Sequence, residues 1–431
     1  MRIGIDMLGI QAAGRARGVG RFTRQFARHL LERPGDDDFL LYFHDGLPGG
    51  DEPWPSGPAV RRLGGAKAGG GLPWSVQRLA RRNPDQLDVL LLSCALENFQ
   101  GYLPPDPPLG GPRMAAVVHD LIPSHFPDHY LRHPAIAKAY HRALASLRQY
   151  DLLLVISEAV RSDCARILGI PDQRVVNISA GSDPLAFFPD RNGPAPAAGV
   201  ARLRALGVSS PFLFALTALD ERKNLPGLLA AYRLLPARLR QTHALVLTCA
   251  AGDAGDHARL RDVIRRSGVA ERVVLTSAVD DESLRALYQR CSVFVFPSRC
   301  EGFGLPLLEA MQCGAAVVAG GNSSQVEVVG DAGLLADADD PADLARQLTR
   351  VLDEPALAEE LRRRAVRQAR MFDWATTARV GHAALARLAS GPPATHWVRR
   401  LAARGRLAVT DRIHPWGGHR PPTQLVEHNR N

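Results

Sequence analysis

Short apolar runs alternate with helical segments through both halves of the chain, and this alternation restricts the possible folds more than any other feature. The predicted strands are residues 2–7, 40–43, 88–92, 114–118, 152–156, 211–216, 244–248, 272–276, 293–296 and 315–319. The predicted helices are 19–33, 134–149, 158–168, 226–235, 257–267, 282–290, 306–313 and 341–352. Apolar strands separated by helices are typical of parallel sheets with helices on both faces. The pattern therefore predicts an α/β fold with two doubly wound parallel-sheet domains.

The length of the chain and its prolines indicate where these domains divide. At 431 residues the chain is longer than one hydrophobic core usually supports. Pro189, Pro194 and Pro196 lie in a stretch of low apolar content between the two halves, as is typical of an inter-domain linker. We therefore predict a first domain over 1–188, a linker over 189–199 and a second domain over 200–371.

Composition argues against some classes of protein. The chain is 46% hydrophobic and 23% charged, which is typical of a globular protein. Its net charge is +9, but seven arginines against Asp411 and Glu427 place +5 of that charge in residues 391–431. The rest of the chain is nearly balanced, which argues against a nucleic-acid partner.

The cysteines and the N-terminal residues favour a cytoplasmic location. The six cysteines form neither a Cys-x-x-Cys pair nor a Cys/His metal pattern, so reduced and buried thiols are expected. The segment from Met1 to Asp6 predicts a first strand and not a signal peptide. No apolar run approaches the ~18 residues that a membrane-spanning helix needs.

The segment from Pro297 to Met311 carries the strongest functional signal. It places Glu301 and Glu309 around a Gly-Phe-Gly turn that follows the predicted strand 293–296. Pro306 suits the first turn of a helix, where a missing N–H costs nothing. A strand, a glycine loop and a helix in this order present backbone amides to an anion such as a phosphate. The carboxylates can accept hydrogen bonds from hydroxyls, so the segment favours a ligand with both groups, such as a nucleotide sugar.

Four informative segments follow predicted strands. In parallel sheets of this kind, ligands bind beyond the carboxyl ends of the strands. Two of the segments belong to each predicted domain, so we expect one site in the cleft between the domains. The segments are residues 14–21, 119–120, 222–224 and 301–309.

Taken together, the motifs of this chain resemble those of the family 4 retaining glycosyltransferases. The resemblance covers roughly residues 1–390 and is carried by several motifs in the family's order. These are Gly18-Val-Gly-Arg-Phe-Thr23, Val118-His-Asp-Leu-Ile-Pro123, Glu221-Arg-Lys-Asn-Leu225, Glu301-Gly-Phe-Gly-Leu-Pro-x-x-Glu309 and the segment Ser323 to Gly333.

The resemblance implies a fold and a reaction. The fold is GT-B, in which two Rossmann-like domains face each other across a cleft and a C-terminal helix, here within 372–390, packs back on the first domain. The reaction is transfer of a hexose from a nucleoside-diphosphate sugar with retention at the anomeric carbon. The resemblance implies neither a cofactor nor an obligatory metal. A cluster of cations and a helix N-terminus could stabilise the leaving diphosphate in place of a metal ion.

The resemblance also implies roles for individual residues. Glu301 would face the donor sugar, and Glu309 would hold the ribose hydroxyls. Lys223 and Arg222 would meet the diphosphate, and His119 would lie near the reacting sugar. The remaining donor-binding positions are Gly18, Gly20, Gly302, Phe303, Gly304 and Leu305. Phe303 either packs the turn or stacks on the base of the nucleotide. Asp120 either orients His119 or caps a turn, and Glu327 is either a charge on a helix face or a nucleotide contact.

This chain departs from the family pattern in three places. Many relatives carry an arginine six residues before the diphosphate lysine, where this chain has Thr217. The usual Asn-Gly-Val-Asp turn is Ala180-Gly-Ser-Asp183, and the segment before Ser323 is Gly320-Gly-Asn322. Arg222 could take over from the missing arginine, as in relatives with an Arg-Lys-Asn motif.

The Arg-Lys-Asn motif is similar to that of bacterial mannosyltransferases, which favours GDP-mannose as donor and a glycan or lipid-linked acceptor in surface polysaccharide synthesis. Two alternatives stay open. One is a non-catalytic nucleotide-sugar-binding or scaffold protein on the same fold. The other is a different two-Rossmann enzyme, such as a phosphorylase-like protein or an epimerase. Fold alone does not separate the three.

The basic tail over 391–431 has two interpretations. Trp397, Val398, Leu401 and Ala408 could line one side of a short basic helix that contacts an anionic membrane surface. Under this interpretation the protein is peripheral on the cytoplasmic face of the membrane. The alternative is a disordered polar tail with incidental arginines.

Overall fold

The chain folds into two parallel sheets, each covered by helices. The computed structural model describes residues 1–12, 18–33, 35–49, 53–55, 57–64, 71–96, 102–108, 110–189, 197–209, 211–249 and 254–391. The first-sheet strands are β1 (Arg2–Asp6), β2 (Asp38–His44), β3 (Ala59–Leu63), β4 (Val89–Leu92), β5 (Arg113–Val118), β6 (Leu152–Val155) and β7 (Val175–Asn177). The second-sheet strands are β8 (Phe212–Thr217), β9 (Ala244–Cys249), β10 (Val273–Thr276), β11 (Val293–Phe296), β12 (Val317–Gly320) and β13 (Leu334–Ala336).

Helices connect most of these strands. In the first half they are α1 (Gly18–Leu31), α2 (Gly71–Arg82), α3 (Ile122–His125), α4 (Pro127–Tyr130), α5 (Pro134–Leu147) and α6 (Glu158–Leu168). In the second half they are α7 (Ala197–Ala205), α8 (Leu225–Leu234), α9 (Ala237–Thr242), α10 (Ala254–Arg266), α11 (Asp281–Arg290), α12 (Leu305–Gln312), α13 (Gln325–Val329), α14 (Pro341–Asp353), α15 (Pro355–Ala369) and α16 (Trp374–Ser390). Short 3-10 turns cover Leu8–Ile10, Asp172–Arg174, Glu221–Lys223 and Ala270–Arg272.

Both sheets have the strand order of a Rossmann fold. The first runs β3-β2-β1-β4-β5-β6-β7 and the second β10-β9-β8-β11-β12-β13, and every pairing is parallel. In each sheet the order reverses beside the first strand, which opens a crevice at the carboxyl ends. The crevices lie between β1 and β4 and between β8 and β11. The predicted α/β fold of two doubly wound parallel-sheet domains is confirmed.

The C-terminal helix α16 packs on the first domain. Its first residue, Trp374, contacts the Phe22 ring of α1 edge-on, with 5.3 Å between centroids. The His382 imidazole pairs with Asp37 at 2.6 Å. A Cβ at Gly381 would lie 2.7 Å from the Phe26 ring, so only glycine allows this close packing. The chain therefore crosses from the second sheet back to the first at residues 372–374.

One buried apolar cluster joins the two domains. It includes Ile3 and Phe22 of the first domain and Phe296 and Phe303 of the second, together with Trp374. Burial of apolar side chains is the dominant favourable term in folding, so the domains share part of their core beneath the cleft. All six cysteines are reduced and buried, as the sequence predicts.

The region around the predicted linker is only partly described. Residues 190–196 lie outside the described residues, and α7 begins at Ala197, inside the predicted linker. Of the basic tail, only Gly391 is described. In the described part of the chain, no helix is both long and apolar enough to cross a bilayer.

Candidate functional site

The centre of the site is an ion-pair cluster around Glu301. One carboxylate oxygen accepts from Arg222 Nη1 and the other from Lys223 Nζ, each at 2.6 Å. Glu301 is only 9% exposed, so these bonds form away from bulk water. Arg222 also pairs through Nε with Asp220 at 3.0 Å. The structure thus brings three of the predicted catalytic residues together.

The loops after β8 and β11 hold this cluster in place. Asp220 accepts from the Arg222 backbone N–H at 3.1 Å and so caps the 3-10 turn. Arg222 O accepts from the Arg299 backbone N–H at 2.7 Å. Asn224, buried and in the left-handed conformation, donates to Pro297 O and Ala338 O. Both loops leave neighbouring central strands, which is why residues far apart in sequence meet here.

Electrostatics keep Glu301 ionised. Burial opposes ionisation, but Arg222 and then Lys223 outweigh it and lower the pKa of Glu301 to about 2. Burial also lowers the pKa of Lys223, against the opposite effect of Glu301. The pKa of Arg222 is raised, because Glu301 and Asp220 more than offset burial. At neutral pH Glu301 is therefore an acceptor-only carboxylate, held beside the Arg222 guanidinium and the Lys223 amine.

The Gly302–Gly304 turn lies directly against the first domain. A Cβ at Gly302 would lie 2.1 Å from the carbonyl oxygen of His119, so only glycine fits there. Ser157 Oγ of the first domain donates to Gly302 O at 2.7 Å. Gly304 has φ +103° and precedes α12, which has Pro306 in its first turn. This close approach places the backbone of His119 directly against the turn that follows Glu301.

Glu309 is buried on α12 and pairs across the cleft. Its Oε1 accepts from Arg21 Nη1 of α1 at 2.5 Å, and its Oε2 accepts from the Tyr288 hydroxyl at 3.4 Å. Glu309 is 5% exposed. Burial raises its pKa to about 7, although Arg21 acts to lower it. Glu309 thus lies near its titration point at neutral pH.

His119 and Asp120 follow β5 and face the second domain. His119 Nε2 lies 3.0 Å from Ser93 O, and since a carbonyl only accepts, Nε2 carries the hydrogen. Burial lowers the pKa of His119 to about 4, so the ring is neutral at pH 7 and its Nδ1 can accept. Asp120 accepts from the Ile122 backbone N–H at 3.0 Å, which caps the turn before α3.

The other predicted donor-binding residues lie near the Gly302–Gly304 turn or are buried in the elements around it. A Cβ at Gly18 would lie 3.8 Å from Leu305 Cδ1, so the first-domain loop contacts the start of α12. Gly20 is buried in α1. Phe303 is 3% exposed and packs edge-on against Phe372, with 5.6 Å between centroids. The Phe303 side chain therefore contributes packing.

Thr217 ends β8, at the position where many relatives carry an arginine. It is buried, and its hydroxyl has no hydrogen-bond partner within the described residues. Arg222, in the loop that follows Thr217, donates to Glu301. The structure thus has a cation beside Glu301 without an arginine at position 217.

Sequence reasoning missed several residues of this site. Arg21 belongs to the glycine motif but had no predicted role. Tyr130 of α4 donates to Asp220 across the cleft at 2.6 Å, and Ser324 Oγ donates to the Glu301 and Phe303 carbonyls, each at 2.9 Å. Glu327 accepts from the Glu158 backbone N–H at the start of α6, at 3.0 Å. Arg21, Ser324 and Glu327 lie in motifs that the sequence identifies, but the partners of these residues depend on how the loops and domains meet and have no local signal.

A metal site was not predicted, and the described residues contain no group of three His, Cys, Asp or Glu side chains placed to hold a metal ion.

Two Rossmann-type domains with a carboxylate–cation cluster at their facing crevices define the GT-B class. Residues 16–184 match the model of Glycosyltransferase Family 4, and residues 205–371 match that of Glycosyl transferases group 1. The chain belongs to the family 4 glycosyltransferases.

Bacterial mannosyltransferases are among its relatives. The chain is 28% identical over 415 residues to the serotype-specific mannosyltransferase WbdA of Escherichia coli, covering 90% of this chain and 48% of that protein. It is 32% identical over 290 residues to O-antigen chain mannosyltransferase B of Escherichia coli, covering 65% of this chain and 73% of that protein. The chain therefore spans about half the length of WbdA.

Solved structures share the fold. The sucrose-phosphate synthase of Thermosynechococcus elongatus aligns with a TM-score of 0.69 at 18% identity, over 91% of this chain and 100% of that one. The Anabaena protein Alr3699/HepE in complex with UDP and glucose aligns with a TM-score of 0.65 at 18% identity, over 90% and 99%. At such low identity the likeness extends to the fold only.

Proposed function

We propose that this protein is a retaining glycosyltransferase that moves a hexose from a nucleoside-diphosphate sugar to a glycan or lipid-linked acceptor. The observation that carries the proposal is the Glu301 cluster. Its carboxylate lies between Arg222 and Lys223, beside a glycine turn that touches His119 of the other domain. Cations for a diphosphate and a carboxylate that can accept hydrogen bonds from sugar hydroxyls are therefore in direct contact.

The two cations suit the leaving group of this reaction. When the bond between the anomeric carbon and the phosphate oxygen breaks, negative charge grows on the diphosphate. Lys223 and Arg222 are already fixed there by Glu301, so little reorganisation is needed to stabilise that charge. Glu301 in turn remains an anion that accepts hydrogen bonds from the sugar hydroxyls.

Retention follows from attack on the face that the diphosphate leaves. The acceptor oxygen forms its bond to the anomeric carbon, and its proton passes to the phosphate oxygen whose bond has broken. No carboxylate nucleophile is needed in this scheme. The neutral His119 ring offers Nδ1 as an acceptor to a sugar hydroxyl, because its Nε2–H is held by Ser93 O.

The mannosyltransferase relatives support mannose as the transferred sugar, and we propose GDP-mannose as its donor. A surface polysaccharide is the corresponding product. We place the protein in the cytoplasm, peripheral to an anionic membrane through the basic tail, where a lipid-linked acceptor would be reached.

Calorimetric titration with GDP, UDP and ADP, with and without Mg²⁺, tests the first step. We expect one nucleotide, GDP first, to bind without metal. The corresponding sugar nucleotide is then incubated with mannose-containing acceptors, and the anomeric configuration of the product is read by NMR. Nucleotide binding without transfer to any acceptor would favour the non-catalytic binding protein, and an inverted product would overturn the retaining mechanism.

A further inference from the structure

Arg21 connects the two domains at the carboxylate assigned to the nucleotide ribose. It lies on α1 of the first domain, and Glu309 lies on α12 of the second. One guanidinium nitrogen donates to Glu309 Oε1 at 2.5 Å, and another donates to Asp281 Oδ1 at 2.8 Å. The guanidinium also lies over the Phe187 ring, 5.3 Å from its centroid. Two carboxylates and an aromatic face thus fix its direction.

The contact leaves Glu309 able to take a ligand. An ionised carboxylate has about four acceptor positions. Arg21 uses one on Oε1, and among the described residues Oε2 receives only the long bond from Tyr288, at 3.4 Å. A pair of vicinal hydroxyls, as in a ribose, could therefore bind to Glu309 while Arg21 stays in place.

We propose that Arg21 is a positioning residue that holds Glu309 as an anion for the nucleotide, so that domain contact and nucleotide binding favour each other. This inference rests on the proposed function. Because Arg21 belongs to the first domain, it can donate to Glu309 only when the two domains are in contact. By linkage, a nucleotide that needs the ionised carboxylate stabilises that contact to the same extent.

The charges around Glu309 make the effect of Arg21 on nucleotide binding depend on pH. Arg21 is the cation that faces it, and Asp281, Tyr288 and Cys313 are its other titratable neighbours. Burial raises the pKa of Glu309 to about 7 even with Arg21 present. Without Arg21 its pKa would rise further, so the carboxylate would be lost at pH 7 and regained at higher pH.

The test is nucleotide affinity from pH 6 to pH 9, measured by calorimetry with the tightest-binding of GDP, UDP and ADP. We expect Arg21→Gln to weaken binding about ten-fold at pH 7, with the loss shrinking toward pH 9. Arg21→Lys should recover much of the affinity. The Arg21→Gln/Glu309→Gln double variant should bind no more weakly than Glu309→Gln alone.

A matched control is Arg202→Gln. Asp281, the second partner of Arg21, is the first residue of α11. Arg202 pairs with Asp280, the residue before it, but lies within the second domain. Removal of the Arg202 charge should therefore leave nucleotide affinity unchanged. If Arg21→Gln kept the affinity and the pH profile of the wild type, the role of Arg21 would be overturned, but the proposed function would stand. Tighter binding would also overturn it, because Arg21 would then compete with the nucleotide. Failure of the wild type to bind any nucleotide would overturn the proposed function and this inference with it.

Discussion

At the scale of single residues, the ionised state of Glu301 depends on two neighbouring cations. Its pKa is about 2 because Arg222 and Lys223 outweigh the effect of burial. Removing either cation would leave a buried charge with half its compensation, which is costly. The three side chains therefore act as one unit, and substitutions among them will not be additive.

Substitution of Glu301 by glutamine separates its role at the sugar from a role at the nucleotide. Glutamine keeps the shape but removes the charge, so we expect transfer to fall about 100-fold. Nucleotide affinity should survive, because Arg222 and Lys223 remain free for the diphosphate. Steady-state transfer rates and calorimetry on the same preparation measure both. The exposed Glu282→Gln is the control, and loss of nucleotide affinity in Glu301→Gln would assign Glu301 to the nucleotide.

At the scale of elements, sequence reasoning succeeded where local signals were strong. The bounds predicted for β11 and α6 agree with the structure, because one is a short apolar run and the other begins at a serine cap. The strand β3 was missed, because it is an exposed edge strand with two arginines and no buried apolar run. The Arg21–Glu309 pair was missed because its partners are 288 positions apart. Its formation depends on the approach of two domains, for which the chain carries no local pattern.

The Gly302 turn is an element whose shape decides whether the domains can approach. A Cβ there would meet the His119 carbonyl at 2.1 Å, and a backbone atom cannot move aside as a flexible side chain could. We expect Gly302→Ala to lower transfer by about ten-fold or more, because small displacements of reacting groups are costly. The second domain itself should stay folded.

The control for Gly302→Ala is Gly199→Ala near the start of α7. A Cβ there would lie 3.9 Å from Ala286, an ordinary contact, and alanine favours helices. Transfer by Gly199→Ala should equal that of the wild type. Thermal unfolding of both variants shows whether the fold is intact, and full activity in Gly302→Ala would show that the turn tolerates a wider gap.

At the scale of the whole molecule, the basic tail bears on where the protein acts. Removing residues 391–431 takes away seven arginines and +5 of the net charge of +9. We expect this truncation to reduce binding to anionic lipid vesicles, with a steep dependence on salt. Co-sedimentation with anionic and neutral vesicles is the measurement. Equal binding of the full chain and the truncated chain would favour a disordered polar tail.

The contact between the domains should itself respond to pH, through Glu327. Its carboxylate accepts the Glu158 N–H of the other domain at 3.0 Å. Burial, reinforced by the Glu158 charge and opposed by this bond, raises the pKa of Glu327 from 4.5 to about 7. A carboxyl whose pKa rises on contact takes up a proton as the domains meet. The contact is therefore favoured at low pH and weakens as pH rises from about 4.5 to 7.

Small-angle scattering without nucleotide, from pH 5.5 to pH 8, measures this response. We expect the radius of gyration of the wild type to increase across the range. Glu327→Gln should abolish or reverse the increase, since glutamine keeps an acceptor for the N–H but cannot ionise. Glu309 has a pKa in the same window, but contact with Arg21 acts to lower that pKa, so Glu309 responds in the opposite sense, and the double Glu327→Gln/Glu309→Gln variant should be nearly insensitive to pH. If Glu327→Gln retained the full wild-type response, the proton uptake would have to occur at another group, and Glu327 would be no more than an acceptor for the first N–H of α6.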